Sequence, residues 1–149
     1  MSLPQHESPS PLVAVTGATG KVGGAVAEQL RARGPAPRLV VRDASRAPGW
    51  AEDVAVAVYG DYQAATAALA GVDVLLMVSA SESADRLAQH RTFIDAAAAA
   101  GVRHVVYTSF LGAAPDAVFT LARTHWATEE HLRARSEEHT SELQSPSLI

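Results

Sequence analysis

The amino-acid sequence predicts a doubly wound parallel α/β sheet with its strands in the order 3-2-1-4-5. Three observations carry that expectation. Short apolar runs without polar alternation recur along the chain, as strands buried on both faces require. Stretches with helical spacing separate them, and three of these close at Gly34, Gly71 and Gly101. Between the first apolar run and the first helical stretch lies VTGATGKVGG, residues 15–24, with four glycines in ten positions.

Residues 12–16, bounded by Pro11 and Gly17, form the first strand. From Lys21 apolar residues fall four apart at Val22, Val26 and Leu30, a helix that stops at Gly34-Pro35. Residues 39–41 form the second strand, and the resulting strand, helix, strand unit takes a right-handed crossover. Strand 3 follows at 54–58, a short helix at 64–70, strand 4 at 74–78, a helix at 85–100, strand 5 at 104–108 and a last helix at 119–134. In this topology a ligand sits at the carboxyl ends of strands 1 and 4, where the winding reverses.

The 149 residues suit one domain. Residues 1–11 hold three prolines and three serines with no continuous apolar stretch, so they read as a flexible arm and not as a secretory signal. The folded domain is expected over 12–134 and a disordered tail over 135–149. RSEEHTSELQS, residues 135–145, has one apolar residue in eleven and resembles the translated read-through of a widely used DNA-sequencing adapter. That resemblance implies a natural chain cut near Ala134, before further strands that would complete a substrate pocket.

Twelve Lys plus Arg against sixteen Asp plus Glu give a net charge of -4 with no basic cluster, so neither nucleic acid nor an anionic membrane is an expected partner. No run reaches the length of a membrane span. The absence of cysteine excludes disulfides, thiolate nucleophiles and Cys-ligated metals, and the cytoplasm is the neutral expectation.

The glycines at 17, 20 and 23 divide the work of a dinucleotide-binding turn. Gly17 ends the strand tightly, Gly20 lets backbone approach a pyrophosphate, and Gly23 lets the helix sit against the sheet. The positive end of the first helix then faces the phosphates, which makes Gly17, Thr19, Gly20, Lys21, Val22 and Gly23 the candidate contacts. A phosphate-binding loop of the NTPase kind fits poorly, because Val15 stands at its first glycine and Val22 at its magnesium-holding hydroxyl. After strand 2 an NAD site places an acidic side chain for the ribose 2′-hydroxyl, whereas this chain reads Val41-Arg42-Asp43. The planar fork of Arg42 suits a 2′-phosphate, so NADPH is the expected cofactor, with Asp43 as the contrary signal.

TGATGKVGG, VVRDASR, YGDYQAATAALAGVDVLLMVSASE, HRTFIDAAAAAGVRHVVYTSFLG and HWATEEHL together resemble the NmrA-like atypical short-chain dehydrogenase/reductases, most closely the type 2 NADPH-dependent quinone oxidoreductases. The likeness implies a Rossmann fold and NADP(H) lying across the strand ends. It further implies contacts from Asp61 near the adenine, from Ser79 and Ala80 after strand 4, and from Thr108 and Ser109 after strand 5 near the nicotinamide. It implies a small-molecule, quinone-like substrate, and a homodimer is compatible with it.

Tyr-dependent members of the wider superfamily use a Tyr-x-x-x-Lys pair, and here Leu121 stands at the Tyr position and His125 at the Lys position. Without the phenol, ketone reduction lacks the acid its alkoxide demands, while a quinone gives an aromatised hydroquinone anion that needs less help. His125 is therefore the candidate catalytic residue, hydrogen-bonding ribose or acceptor, with solvent or His125 as proton source. A non-catalytic redox sensor of the NmrA type is the alternative reading, since it too has no need of the Tyr. The histidine spacing suggests no metal site, and no G-x-S-x-G elbow is present.

Overall fold

The computed structural model describes residues 10–80, 84–110, 120–139, 143–144 and 147–148. Six parallel strands form the main sheet in the order β3-β2-β1-β4-β5-β7. They are β1 (Val13–Thr16), β2 (Arg38–Val41), β3 (Asp53–Val56), β4 (Val74–Met77), β5 (His104–Tyr107) and β7 (Leu143–Gln144). The expected order of the first five strands is thus the observed one. A second, two-stranded sheet pairs β6 (Ser109–Phe110) with β8 (Ser147–Leu148).

Helix α1 (Lys21–Arg33) covers one face of the main sheet, and α2 (Tyr62–Ala68), α3 (Arg86–Ala100) and α4 (Thr120–His139) cover the other. Because successive strand side chains point to opposite faces, neighbouring residues serve different cores. Ala14, Val40, Leu75, Met77 and Tyr107 pack with Leu69 just after α2 and with Phe93, Ile94 and Leu132 of α3 and α4. Val15, Leu39, Val41 and Leu76 pack with Ala27 and the flanks of α1. Both faces are buried, which is why these runs show no alternation.

The buried stripe of α1 differs from the expected one. Gly23 and Ala27 are its buried residues, Val26 and Leu30 flank them, and Val22 is 41% exposed. Glycine at 23 brings the helix axis so near the sheet that small side chains occupy the contact line. Gly101 caps α3 in the left-handed region at φ 84°, whereas α2 ends at Ala68 with Leu69 as its C-cap, ahead of Gly71 at φ 78°.

One further difference lies at an element end. Helix α4 passes Ala134 and continues to His139, so the segment read as tail begins inside a helix. Residues 135–139 contain no Gly or Pro to stop it. The helix is tied to α3 by Asp95, whose Oδ1 accepts from His131 at 2.7 Å and from Arg135 Nε at 2.8 Å. Arg38 on β2 bonds the Asp53 carboxylate on β3 and the carbonyls of Ala68 and Ala70 at the end of α2, joining a sheet edge to its connection. Most of the expected arm, residues 1–9, lies outside the described residues. Among the described residues no helix is long and apolar enough to cross a membrane.

Candidate cofactor-binding site

At the carboxyl ends of the strands lies a cavity of about 540 Å³, lined by residues 16–20 after β1, 40–42 after β2, 57–60 after β3, 78–80 after β4, and Gln89 of α3. It sits where β1 and β4 neighbour each other, at the predicted reversal of winding.

The glycine turn forms its floor, and the three glycines differ physically. Gly17 has φ 63°, and a Cβ there would stand 3.0 Å from the Val78 Cβ. At Gly23 a Cβ would fall 2.3 Å from the Gly17 carbonyl oxygen and 2.7 Å from that of Thr16, so the turn closes only with glycine. A Cβ at Gly20 would meet nothing closer than the Gly17 oxygen at 3.4 Å. The protein itself therefore tolerates a side chain at 20, and the bare surface there is available to a ligand.

Gly20 is the N-cap of α1 and supplies no side-chain cap. The first intrahelical bond runs from Gly24 N–H to the Gly20 carbonyl at 2.9 Å, so the amides of Lys21, Val22 and Gly23 precede the helical ladder. Uncapped amides at the positive end of a helix dipole suit an anion. Thr19 and Gly20 line the cavity, whereas Lys21, Val22 and Gly23 lie behind them in the first turn.

Arg42 lines the cavity as an exposed side chain immediately after β2. Asp43, the contrary signal, is turned elsewhere: its Oδ1 accepts from Ser45 N at 3.0 Å and Ser45 Oγ at 2.7 Å, capping the turn Ala44–Arg46. Those bonds hold its carboxyl below the usual carboxylate range. Asp61 caps α2, its Oδ1 accepting from Ala64 N at 3.1 Å, and its neighbour Gly60 lines the cavity.

The wall after β4 is held from inside the protein. Ser79 N–H donates to Thr108 Oγ1 at 2.9 Å and Ala80 N–H donates to His90 Nε2 at 2.9 Å. Thr108 is 3% exposed, so it supports the wall from beneath, and Ser109 follows it into β6. Tyr59, which also lines the cavity, straps β1 to β4: its hydroxyl donates to the Val78 carbonyl and accepts from Thr16 Oγ1. Burial raises the Tyr59 phenol above its ordinary pKa, so it remains a donor.

Beneath the wall α3 and α4 enclose a polar cluster. His125, the candidate catalytic residue, is 4% exposed, with Tyr107 Oη 2.5 Å from its Nδ1. Burial and then the charge of Arg86 push its pKa down to about 4. Burial, Arg86 and His125 push His90 down to about 3. Arg86 is itself 2% exposed, and its Nε has no hydrogen-bond partner among the described residues. Leu121, at the expected phenol position, lies in the backbone of the same helix.

Sequence reasoning missed His90, Tyr59, Tyr107 and Arg86. A polar residue among apolar ones in a helix such as 86–100 is the available signal, because burying it requires partners that the linear sequence does not display.

Comparison with known proteins agrees with this geometry. A family model described as NAD(P)H-binding matches residues 17–145. Quinone oxidoreductase 2 of Escherichia coli is 44% identical over 126 residues, covering 81% of this chain and 44% of the relative. Its crystal structure with NADPH superposes with a TM-score of 0.77 at 41% identity, covering 83% of this chain and 45% of that one. The triphenylmethane reductase of Citrobacter sp., crystallised with NADP(H), matches with a TM-score of 0.78 at 34% identity, covering 83% and 46%. The chain thus spans less than half the length of these relatives. The resemblance read from the motifs is borne out, and the chain belongs to the NAD(P)H-binding family of Rossmann-fold proteins.

Proposed function

We propose that this chain binds NADPH and forms the cofactor-binding part of a reductase that delivers hydride to a quinone-type acceptor. The single observation that carries the cofactor choice is Arg42 in the crevice beside an Asp43 whose carboxylate is committed to Ser45. The uncapped amides of α1 and the bare edge of Gly20 take the diphosphate, and Arg42 takes the 2′-phosphate. With Asp61 Oδ1 committed to capping α2, we assign its other oxygen to the adenine amino group. We assign Ser79 and Ala80, which line the cavity, to the nicotinamide end, with Thr108 and Ser109 following β5 on that side.

When bound, NADPH supplies the hydride. His125 is neutral near pH 7, because burial and Arg86 depress its pKa, so it serves as a hydrogen-bond partner and the proton comes from solvent. The raised pKa of buried Tyr107 keeps its phenol protonated. Tyr107 and Nδ1 of His125 share a hydrogen bond that fixes this buried imidazole beneath the wall of the crevice. A quinone asks for no stronger acid. The similarity to quinone oxidoreductase 2 supports this acceptor class.

The test is NADPH binding by calorimetry, followed by NADPH consumption with a simple benzoquinone on a protein extended to the length of the relatives. Binding with turnover supports the reading. No heat with either NADPH or NADH ends the cofactor reading, and binding without turnover ends the reductase reading.

A further inference from the structure

We propose that His90, which the proposed function does not use, is a positioning residue for the cofactor: anchored by Thr128 of α4, it fixes the Ser79–Ala80 wall with its amides turned away from the ligand. This rests on the reading that the crevice takes NADP(H).

Every proton in the relay has one place. Ala80 N–H donates to Nε2 of His90 at 2.9 Å, so the ring proton is on Nδ1. Nδ1 stands 3.0 Å from Thr128 Oγ1 and donates to it, and Thr128 Oγ1 in turn donates to the Thr124 carbonyl at 2.9 Å. His90 and Thr128 are both 0% exposed, so no water competes for these bonds. The His90 ring is also fixed sideways, edge-on to Tyr59 at 5.9 Å and to Tyr107 at 5.7 Å between centroids. Its imidazole cannot swing without breaking several contacts at once.

A recognition consequence follows. Ser79 N–H is likewise committed inward, to Thr108 Oγ1. With both amides engaged, the wall after β4 offers a ligand carbonyl and hydroxyl oxygens. Oxygens of that kind accept from ribose hydroxyls and repel phosphate, while across the crevice the amides of Lys21, Val22 and Gly23, which precede the helical ladder of α1, suit phosphate. The two sides of the crevice are chemically distinct, and His90 maintains the difference. The strand order places Arg42 and this wall on opposite sides of β1, so the adenosine end of the ligand is remote from the wall.

The test compares two ligands on the 149-residue chain, NADPH and the fragment adenosine 2′,5′-bisphosphate, which has the 2′-phosphate but no nicotinamide ribose. Thr128→Val removes the anchor from α4 without touching the crevice, His90→Leu removes the acceptor, and His90→Gln restores an acceptor near the Nε2 position. Losing one buried hydrogen bond of positioning is expected to raise the NADPH Kd about tenfold in Thr128→Val and His90→Leu. The Kd of the bisphosphate stays unchanged, exchange of the Ala80 amide accelerates, and His90→Gln recovers most of the NADPH affinity. An unchanged NADPH Kd, or equal weakening of both ligands, overturns the proposal and makes His90 a core residue only. If His90→Leu fails to fold, Thr128→Val decides by the same readouts. Wild-type protein that binds neither ligand overturns the cofactor reading and this proposal with it, whereas wild-type binding with unaffected variants overturns this proposal alone.

Discussion

Tyr107 Oη on β5 stands 2.5 Å from Nδ1 of His125 on α4, and both side chains are buried. Helix α4 carries Leu121 at the position where a phenol is expected, and a phenol reaches His125 from the sheet instead. Removing that hydroxyl takes a hydrogen-bond partner from Nδ1. Tyr107→Phe is expected to cost about 1–3 kcal/mol of stability. It is also expected to lower quinone turnover while leaving the NADPH Kd near wild type. Chemical denaturation and steady-state kinetics on the same preparation check both parts, and unchanged turnover removes His125 from the reaction.

The glycine turn separates two failures that a binding assay alone would merge. Gly20→Ala puts its Cβ 3.4 Å from the nearest protein atom, so the variant is expected to fold with wild-type circular dichroism and to lose NADPH affinity. Gly23→Ala drives a Cβ to 2.3 Å from the Gly17 carbonyl oxygen, so that variant is expected to lose stability as well, by more than about 3 kcal/mol. Equal stability of the two variants contradicts the assignment.

Arg42 distinguishes the two nicotinamide cofactors. Arg42→Ala is expected to weaken NADPH by about 1.5–3 kcal/mol, the range for a hydrogen bond to a charged group, and to leave NADH binding within about twofold. Calorimetric titration of both cofactors checks it. Parallel losses mean that the arginine shapes the crevice without reading the phosphate.

The buried histidines set the acid limit of the fold. Folded-state values of about 3 for His90 and about 4 for His125 lie below the ordinary 6.5, so below pH 6.5 the unfolded chain binds protons that the native chain refuses. Their contribution is complete above pH 6.5. It falls by roughly 1.4 kcal/mol per pH unit for each histidine as pH drops toward the folded values. Urea midpoints between about pH 7 and pH 5 should decline accordingly. Arg86 contributes to both depressions, so Arg86→Met is expected to raise both values, read as imidazole titrations by NMR. A flat stability profile across that interval refutes the buried neutral state.

Much of this was legible along the chain because the sheet obeys local rules. The runs at β1, β2, β4 and β5 are apolar on both faces, and Gly101 stops α3 by left-handed geometry. The turn at 17–23 announced itself through spacing, and Arg42 through its place after β2. Illegible were the partners of buried polar groups. His90 meets Ala80 from ten positions away and Thr128 from thirty-eight, distances over which periodicity carries no information. The stripe at 22, 26 and 30 misled because hydrophobicity marks greasy residues, whereas close approach to the sheet selects small ones such as Gly23 and Ala27.

Strand β1 lies between β2 and β4, with Ala14 in one core, Val15 in the other, and Gly17 directly beyond. The same four-residue strand therefore joins both hydrophobic layers and opens into the ligand crevice. A dinucleotide laid across the ends of β2, β1 and β4 acts as a clamp on three adjacent strands, so occupancy should transmit directly into resistance to melting and proteolysis. Cofactor level is then expected to set how long the folded chain persists.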